Sequence, residues 1–173
     1  MFMRSFKVIL GLVLLAISVG AAQAQTKKKT GTKKSTAATV PPLDVRVARD
    51  KVSNQLANMN RFVDVYGPIA QGIETMDASA KTDHLPKATV DKNEASKQKV
   101  IAAIRNFKAG LTDLETDFRT KPALQKYLTK IQGISDLMAQ SEDMAIAGKF
   151  VASKEPMRQT AMKLSETLAV LPK

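Results

Sequence analysis

The chain contains no cysteine, no tryptophan and a single histidine, His84. The absence of cysteine excludes disulfide bonds, a lipid anchor on cysteine, covalent haem attachment and every thiolate metal site. An oxidising compartment would therefore leave the covalent structure unchanged. The sequence also contains no Glu-x-x-His, which excludes the di-iron site that some helical bundles build from pairs of that motif.

Candidates for catalysis are correspondingly few. General acid-base and nucleophilic catalysis usually need a histidine, a cysteine or paired carboxylates held in a pocket. His84 stands beside Asp83 in a polar segment, where an exposed imidazole is the favoured interpretation and an imidazole paired with the carboxylate is the alternative. We therefore predict that the protein is not an enzyme and has no catalytic residues, no cofactor, no cofactor-binding residues and no metal ligands.

The first residues are typical of a secretory signal. Arg4 and Lys7 precede an apolar stretch at residues 8–19, and the small residues Ala22 and Ala24 suit a signal peptidase. We expect residues 1–24 to be a signal peptide cleaved after Ala24. A retained anchor is the alternative, but a membrane-spanning helix needs about 20 apolar residues. The predicted location is exported, either periplasmic or extracellular, with no stable membrane span after cleavage.

Positive charge is concentrated near the N-terminus of a chain whose net charge is +11. Residues 25–42 consist mainly of lysine, threonine, serine, alanine and glycine, so they bury too little apolar area to offset the entropy of ordering. We predict a disordered basic linker here that acts as a spacer. The alternative is weak contact with an anionic surface, to which each lysine could contribute ~1 kcal/mol. The lysines concerned are Lys27, Lys28, Lys29, Lys33 and Lys34. We expect no nucleic-acid partner.

Apolar side chains recur at helical spacing after the linker. A first long helix is indicated by a seven-residue repeat, which comprises Val45, Val52, Met59, Tyr66 and Ile73. Pro68 removes one backbone hydrogen bond from this helix, but the repeat continues in phase beyond it, which favours one bent helix over two. Residues 77–88 have no apolar period and are predicted to form the first loop, with a second helix beginning near Asp91.

Three further helices follow by the same spacing. The second has the inward face Val100, Ile104, Phe107, Leu111, Leu114 and Phe118, and Phe107 at its centre is expected to be essential to the core. The third begins near Pro122 and ends at Gly148, with inward positions Leu124, Tyr127, Ile131, Ile134, Met138 and Ala145. The fourth follows Ser153, with inward positions Met157, Ala161, Leu164, Leu168 and Leu171. The sequence predicts an all-α antiparallel four-helix bundle (up-down-up-down) over residues 43–173.

The same apolar pattern predicts which acidic residues face the solvent and which methionines lie in the core. The acidic groups Asp113, Glu115 and Asp117, and Glu142 with Asp143, fall on predicted outward faces and are expected to be solvated. Methionine sulfur can bind cuprous ions, but core packing is the favoured interpretation for most of these methionines because they lie on the apolar stripes. The methionines that follow the signal peptide are Met59, Met76, Met138, Met144, Met157 and Met162.

One short segment resembles a known family. Leu128-Thr129-Lys130-Ile131-Gln132 is similar to the Leu-Thr-x-x-Gln signature of small helical periplasmic stress proteins, and residues 111–115 carry a second copy with glutamate in the last position. The resemblance implies a chaperone or sensor adaptor whose helices form an open, curved hairpin.

Three functions remain open from the sequence. The leading hypothesis is an exported, non-enzymatic helical-bundle protein that binds a protein partner of unknown identity or supports an envelope structure. The alternatives are a periplasmic chaperone or stress adaptor, and a carrier of a small ligand or metal. A cavity near Gly67 and Pro68 that is lined by Tyr66 and a few polar groups would support the carrier.

Overall fold

The fold is described from a computed structural model, which covers residues 40–82 and 85–173. Within these ranges the chain is helical and contains no strand, so the predicted all-α class is confirmed. The predicted signal peptide, the linker up to residue 39 with its five lysines, and His84 lie outside the described residues.

The helices of this part of the chain are α1 (Leu43–Thr82), α2 (Lys87–Thr120), α3 (Pro122–Gln125), α4 (Leu128–Ile131), α5 (Ile134–Ile146) and α6 (Lys154–Val170). α1 packs against α2 and α6, and α5 packs against the same two helices. None of the described helices is both long enough and apolar enough to cross a membrane.

α1 is one continuous helix of 40 residues, although Pro68 lies inside it. The prediction that the helix does not split at this proline is confirmed. All five members of the seven-residue repeat are buried, which explains why the helix continues: the residues on both sides of Pro68 pack into the same core. At its start the carbonyl oxygen of Pro42 accepts the amide hydrogens of Val45 and Arg46 at 3.0 and 3.1 Å.

The loop predicted at residues 77–88 is wrong, because α1 continues to Thr82 and α2 begins at Lys87. Pro86 precedes the first turn of α2, where a proline does not disturb the helical hydrogen bonds. Asp91 does not start the helix; it lies in the first turns and pairs with Lys87 at 2.7 Å. The amide of Asn93 donates to Asp77 at 2.8 Å, so side chains from the predicted loop and from α2 hold the two helices together.

The single third helix predicted from Pro122 to Gly148 is also wrong, because α3, α4 and α5 occupy this stretch. Gly133, immediately before α5, has a φ of 85°, a left-handed conformation that interrupts an α-helix. Five of the six predicted inward positions are confirmed as buried, namely Leu124, Ile131, Ile134, Met138 and Ala145, whereas Tyr127 is half-buried. Gly148, with a φ of 75°, lies just beyond the end of α5.

Phe107 is less central than its position in the apolar stripe predicts. The fully buried side chains of α2 include Ile104, Leu111 and Phe118, whereas Phe107 is only half-buried. Its ring centroid lies 4.9 Å from that of Phe62, so the pair forms the outer edge of the contact between α1 and α2. Phe107 therefore packs against the core from its margin, and not at its centre as the stripe predicts.

Candidate functional site

The contact between α1 and α6 runs along much of both helices. Near the start of α1, the Nη1 atom of Arg49 donates to the carbonyl oxygens of Leu171 at 2.5 Å and Leu168 at 3.0 Å. Further along α1, the hydroxyl of Tyr66 donates to the carbonyl oxygen of Phe150 at 2.9 Å, just before α6. The two helices therefore run in opposite directions, and the end of α6 lies beside the start of α1.

Two open cavities follow one another along the outer side of this contact. The first, of about 340 Å³, is lined by Leu56, Asn60, Val63, Arg158, Ala161, Met162 and Ser165. The second, of about 640 Å³, is lined by Gly67, Pro68, Gln71, Glu74, Thr75, Val151 and Lys154. We call the two cavities together the seam groove. At 1.5 Å per residue it spans about 30 Å of α1, because its lining residues extend from Leu56 to Thr75.

The floor of the first cavity of the seam groove is apolar. Leu56, Val63 and Ala161 are half-buried at its base, and Met162 is 62% exposed. The core position predicted for most methionines holds for Met59, Met138 and Met157, which are fully buried, but not for Met162. An exposed methionine beside half-buried aliphatic side chains gives the groove a flexible apolar surface.

Two cations form the α6 wall of the groove. Lys154 and Arg158 lie one helical turn apart, and neither forms an ion pair with a carboxylate of the described ranges. The Nζ atom of Lys154 lies against the backbone of Gly67, since a Cβ atom added to that glycine would be 2.9 Å away from it. The missing side chain at Gly67 thus allows Lys154 to reach across the groove to α1.

The α1 wall is mostly uncharged. Asn60 and Gln71 present side-chain amides, and Glu74 is the one carboxylate among the residues that line the two cavities. Oε1 of Glu74 accepts the amide hydrogen of Val151 at 2.8 Å, which attaches the loop before α6 to α1. The lining is therefore cationic around Lys154 and Arg158 and acidic only at the end near Glu74.

Tyr66 supports the groove from below but does not line it. The side chain is buried, and its hydroxyl hydrogen-bonds both the carbonyl oxygen of Phe150 and the hydroxyl of Ser153. Burial raises the pKa of the Tyr66 hydroxyl, outweighing the opposite effect of the bond to Ser153. The sequence predicted that a cavity near Gly67 and Pro68 would support a carrier function if Tyr66 lined it. The structure has a cavity at that place, but Tyr66 lies outside its lining.

The prediction that the acidic groups are solvated is wrong for Glu142. This residue is only 7% exposed, and its carboxylate accepts hydrogen bonds from Arg105 at 2.5 Å and from Lys108. The bonds from Lys108 and Arg105 lower the pKa of the Glu142 carboxyl. Both cations come from α2, so Glu142 joins α5 to α2. Asp143, the next residue, is exposed as predicted.

Glu115 is also buried, contrary to the prediction, and is 5% exposed. Its carboxylate accepts hydrogen bonds from the Gly133 amide at 3.0 Å, from the Ser135 hydroxyl at 2.7 Å and from Arg119 at 2.9 Å. Burial alone would raise the pKa of this carboxyl, but the hydrogen bonds together lower it. Glu115 therefore stabilises the first turn of α5, and its role is structural. Of the neighbouring acidic residues, Asp113 is exposed and Asp117 is half-buried, bonded to Lys51 at 2.7 Å.

The segment that resembles the stress-protein signature forms α4 and the residue after it. Thr129 and Gln132 are exposed, and the carbonyl oxygen of Gln132 accepts a hydrogen bond from Lys163 at 3.2 Å. The described residues contain no group of three or more histidine, aspartate or glutamate side chains close enough to hold a metal ion.

No protein-family model, curated protein or solved structure matches the chain. The functional argument therefore rests on the seam groove. The sequence predicts the cavity near Gly67 and Pro68, but not the first cavity or the cations of α6. One signal for these cations is present: Lys154 and Arg158 stand four residues apart and flank Met157, a buried residue of the apolar stripe.

Proposed function

We propose that the protein is an exported, non-enzymatic four-helix bundle that binds a partner protein through the seam groove. The observation that carries this proposal is the apolar floor of the first cavity, with the exposed Met162 beside it, next to two cations that form no ion pair within the described ranges. The contacts of α1 with α2, of α2 with α5, of α5 with α6 and of α6 with α1 support the bundle arrangement, with the short α3 and α4 in the connection between α2 and α5.

Binding at the groove would be driven mainly by removal of its floor from water. Burial of apolar surface stabilises by about 25 cal/mol per Å², and protein interfaces commonly place such a centre inside a polar rim. Met162 and Leu56 would supply part of the centre, and Asn60, Ser165 and Arg158 would form part of the rim. A rigid platform suits this role, because the side chains behind the groove are fully buried, among them Met59 and Leu164.

The export part of the proposal rests on the sequence of the N-terminus. The basic residues, the apolar stretch and the two small residues before Gln25 support a signal peptide of residues 1–24. The lysines of residues 25–39 would then serve as a spacer or as a weak contact to an anionic surface. The intact mass of the protein recovered from the envelope fraction tests this part. A chain beginning at Gln25 is expected, and a mass that retains Met1 would contradict cleavage.

A photoreactive amino acid incorporated in place of Met162 tests the binding function. The full chain carrying it is expressed in the native host, the cells are irradiated, and crosslinked products are separated by mass. We expect a discrete crosslinked species that contains a second protein. The matched control places the same amino acid at Val170, which is exposed on α6 outside both cavities. Crosslinking that is absent, or equal at both positions, would contradict a binding role for the groove.

A chaperone that holds unfolded proteins is the second candidate. The exposed side chain of Met162 favours it, because flexible apolar surface suits varied clients. The aromatic side chains of the described ranges argue against it, since each of them is buried or half-buried. Suppression of the aggregation of a heated client protein at equimolar concentration would support the chaperone, and lack of suppression would leave the specific partner as the better proposal.

A further inference from the structure

We infer that the seam groove binds an amphipathic α-helix of a partner protein that carries acidic side chains along one flank. This inference rests on the proposed function and specifies the chemistry of the partner. It uses three features of the groove: its length, the apolar floor of its first cavity, and its two cations, both of which are carried by α6.

The shape of the groove fits a helix. It lies between two antiparallel helices, and the furrow along such a pair accepts the side-chain ridge of a third helix. A length of about 30 Å corresponds to about 20 residues of α-helix. Apolar residues spaced three and four apart on the partner would contact Leu56, Val63 and Met162 in the first cavity.

The charges on the α6 wall define the flank of that helix. Lys154 and Arg158 are four residues apart, so their Cβ atoms lie about 6 Å from each other along α6. Two carboxylates four residues apart on a partner helix have the same spacing and could meet both cations. The guanidinium of Arg158 can also bind one carboxylate through two parallel hydrogen bonds.

The opposite wall restricts acidic side chains to the α6 flank. Asn60 and Gln71 on α1 are uncharged and offer hydrogen bonds but no net attraction to a carboxylate. Glu74 would repel a carboxylate at the far end of the second cavity. A partner helix with one acidic flank is therefore favoured over one that is acidic on all sides.

The test uses two fluorescein-labelled peptides of about 20 residues, each with leucine at three- and four-residue spacing. One carries glutamate at positions four apart along one flank, and the other carries lysine at the same positions. Their binding to protein purified from cells that express the full chain is measured by fluorescence anisotropy. The key variant is Lys154→Glu with Arg158→Glu. The matched control is Lys92→Glu with Lys99→Glu, which changes the net charge equally at two exposed residues of α2 outside the two cavities.

The wild-type protein is expected to bind the glutamate peptide at least about tenfold more tightly than the lysine peptide. Reversal of charge at Lys154 and Arg158 should invert this preference, while the control variant should retain it. Circular dichroism confirms that each variant is folded, which is expected because neither cation of the groove forms an ion pair in the described ranges. A preference that both variants lose equally would come from general attraction to a basic protein, and it would overturn the inference.

The peptide-binding and crosslinking experiments together separate the inference from the proposed function. Crosslinking in cells from the photoreactive amino acid at position 162, combined with equal affinity for the two peptides, would refute the acidic helix while the groove remained a binding site. Absence of crosslinking together with absence of peptide binding would refute both.

Discussion

The Nε atom of Arg105 lies 2.5 Å from Oε1 of Glu142, which connects the middle of α2 to α5 through a charge-assisted hydrogen bond. Lys108, one turn further along α2, bonds the other oxygen of the same carboxylate. One buried carboxylate thus binds two cations that are themselves partly exposed to water. The exposed cations limit the strength of the arrangement, but they keep the carboxylate ionised.

Replacement Glu142→Gln is expected to lower the free energy of unfolding at pH 7 by about 1 to 2 kcal/mol. The pKa of the Glu142 carboxyl in the folded chain lies below its ordinary value of 4.5. Its contribution to stability is therefore complete above that pH and is lost as the pH falls through the folded pKa. Urea unfolding at pH 7 and at pH 3 should show that the difference from wild type narrows in acid. The control is Asp143→Asn at the exposed neighbouring residue, which should change the free energy of unfolding little. A difference between Glu142→Gln and wild type that does not depend on pH would contradict this account.

Substitutions at two positions of α2 should differ in cost because the side chains differ in burial. Ile104→Ala removes a side chain with no exposed surface and is expected to cost about 2 to 5 kcal/mol. Phe107→Ala removes a half-buried ring whose space opens towards solvent, so we expect about 1 to 2 kcal/mol. Denaturant midpoints of the two variants measure the comparison. A larger loss at Phe107 would show that the aromatic pair with Phe62 matters more than burial.

Replacement by alanine should change the free energy of unfolding in opposite directions at two glycines. Gly72 lies within α1, and no atom lies within 4 Å of the position that an added Cβ would take. Gly72→Ala should therefore raise the free energy of unfolding by about 0.5 to 1 kcal/mol, because alanine loses less backbone entropy in a helix. Gly133 has a φ of 85°, a conformation that is unfavourable for alanine, so Gly133→Ala should lower the free energy of unfolding by about 1 to 2 kcal/mol. Thermal unfolding followed by circular dichroism tests both, and equal shifts in one direction would contradict the assigned conformations.

Removal of residues 25–39 from the protein is expected to leave its thermal unfolding midpoint within about one degree of the original. These residues contain almost no large apolar side chain that could pack on the helices. A deletion that extends through Pro42 should lower the midpoint further, because the carbonyl oxygen of Pro42 accepts the amide hydrogens of Val45 and Arg46. A large decrease after the shorter deletion would show that the tail packs against the folded domain.

Apolar spacing predicted the helical class and most of the core because burial in this protein follows the helical period closely. The five members of the α1 repeat are all buried, and so are Ile131 and Met138 of the predicted third helix. The same method could not predict the division of that helix, which depends on the left-handed conformation of Gly133 and on the hydrogen bonds that Gly133 and Ser135 donate to Glu115 on a different helix. These bonds join residues 18 and 20 apart in the chain.

The candidate site was harder to predict for a related reason. A pattern of apolar residues shows which face of a helix turns inward, but it does not show how closely two helices meet along their outer edges. The seam groove depends on such an edge, with Gly67 on one helix and Lys154 on the other. The apolar stripes predict outward faces for Glu115 and Glu142, and only the cations and amides of neighbouring elements explain their burial.

The hydrogen bonds from Arg49 to the last residues of α6 make the described domain suitable for circular permutation. They hold the end of α6 against the start of α1, and Pro42 and Pro172 line the same small cavity there. The connection between α1 and α2 lies at the other end of α1, about 60 Å away for a helix of 40 residues. A short linker from Lys173 to residue 40, with new termini opened between α1 and α2, would leave every described helix intact. In the rearranged chain the new termini lie at the end of the domain where α1 is followed by α2. A reporter fused to either terminus would therefore extend from the end opposite to residue 40.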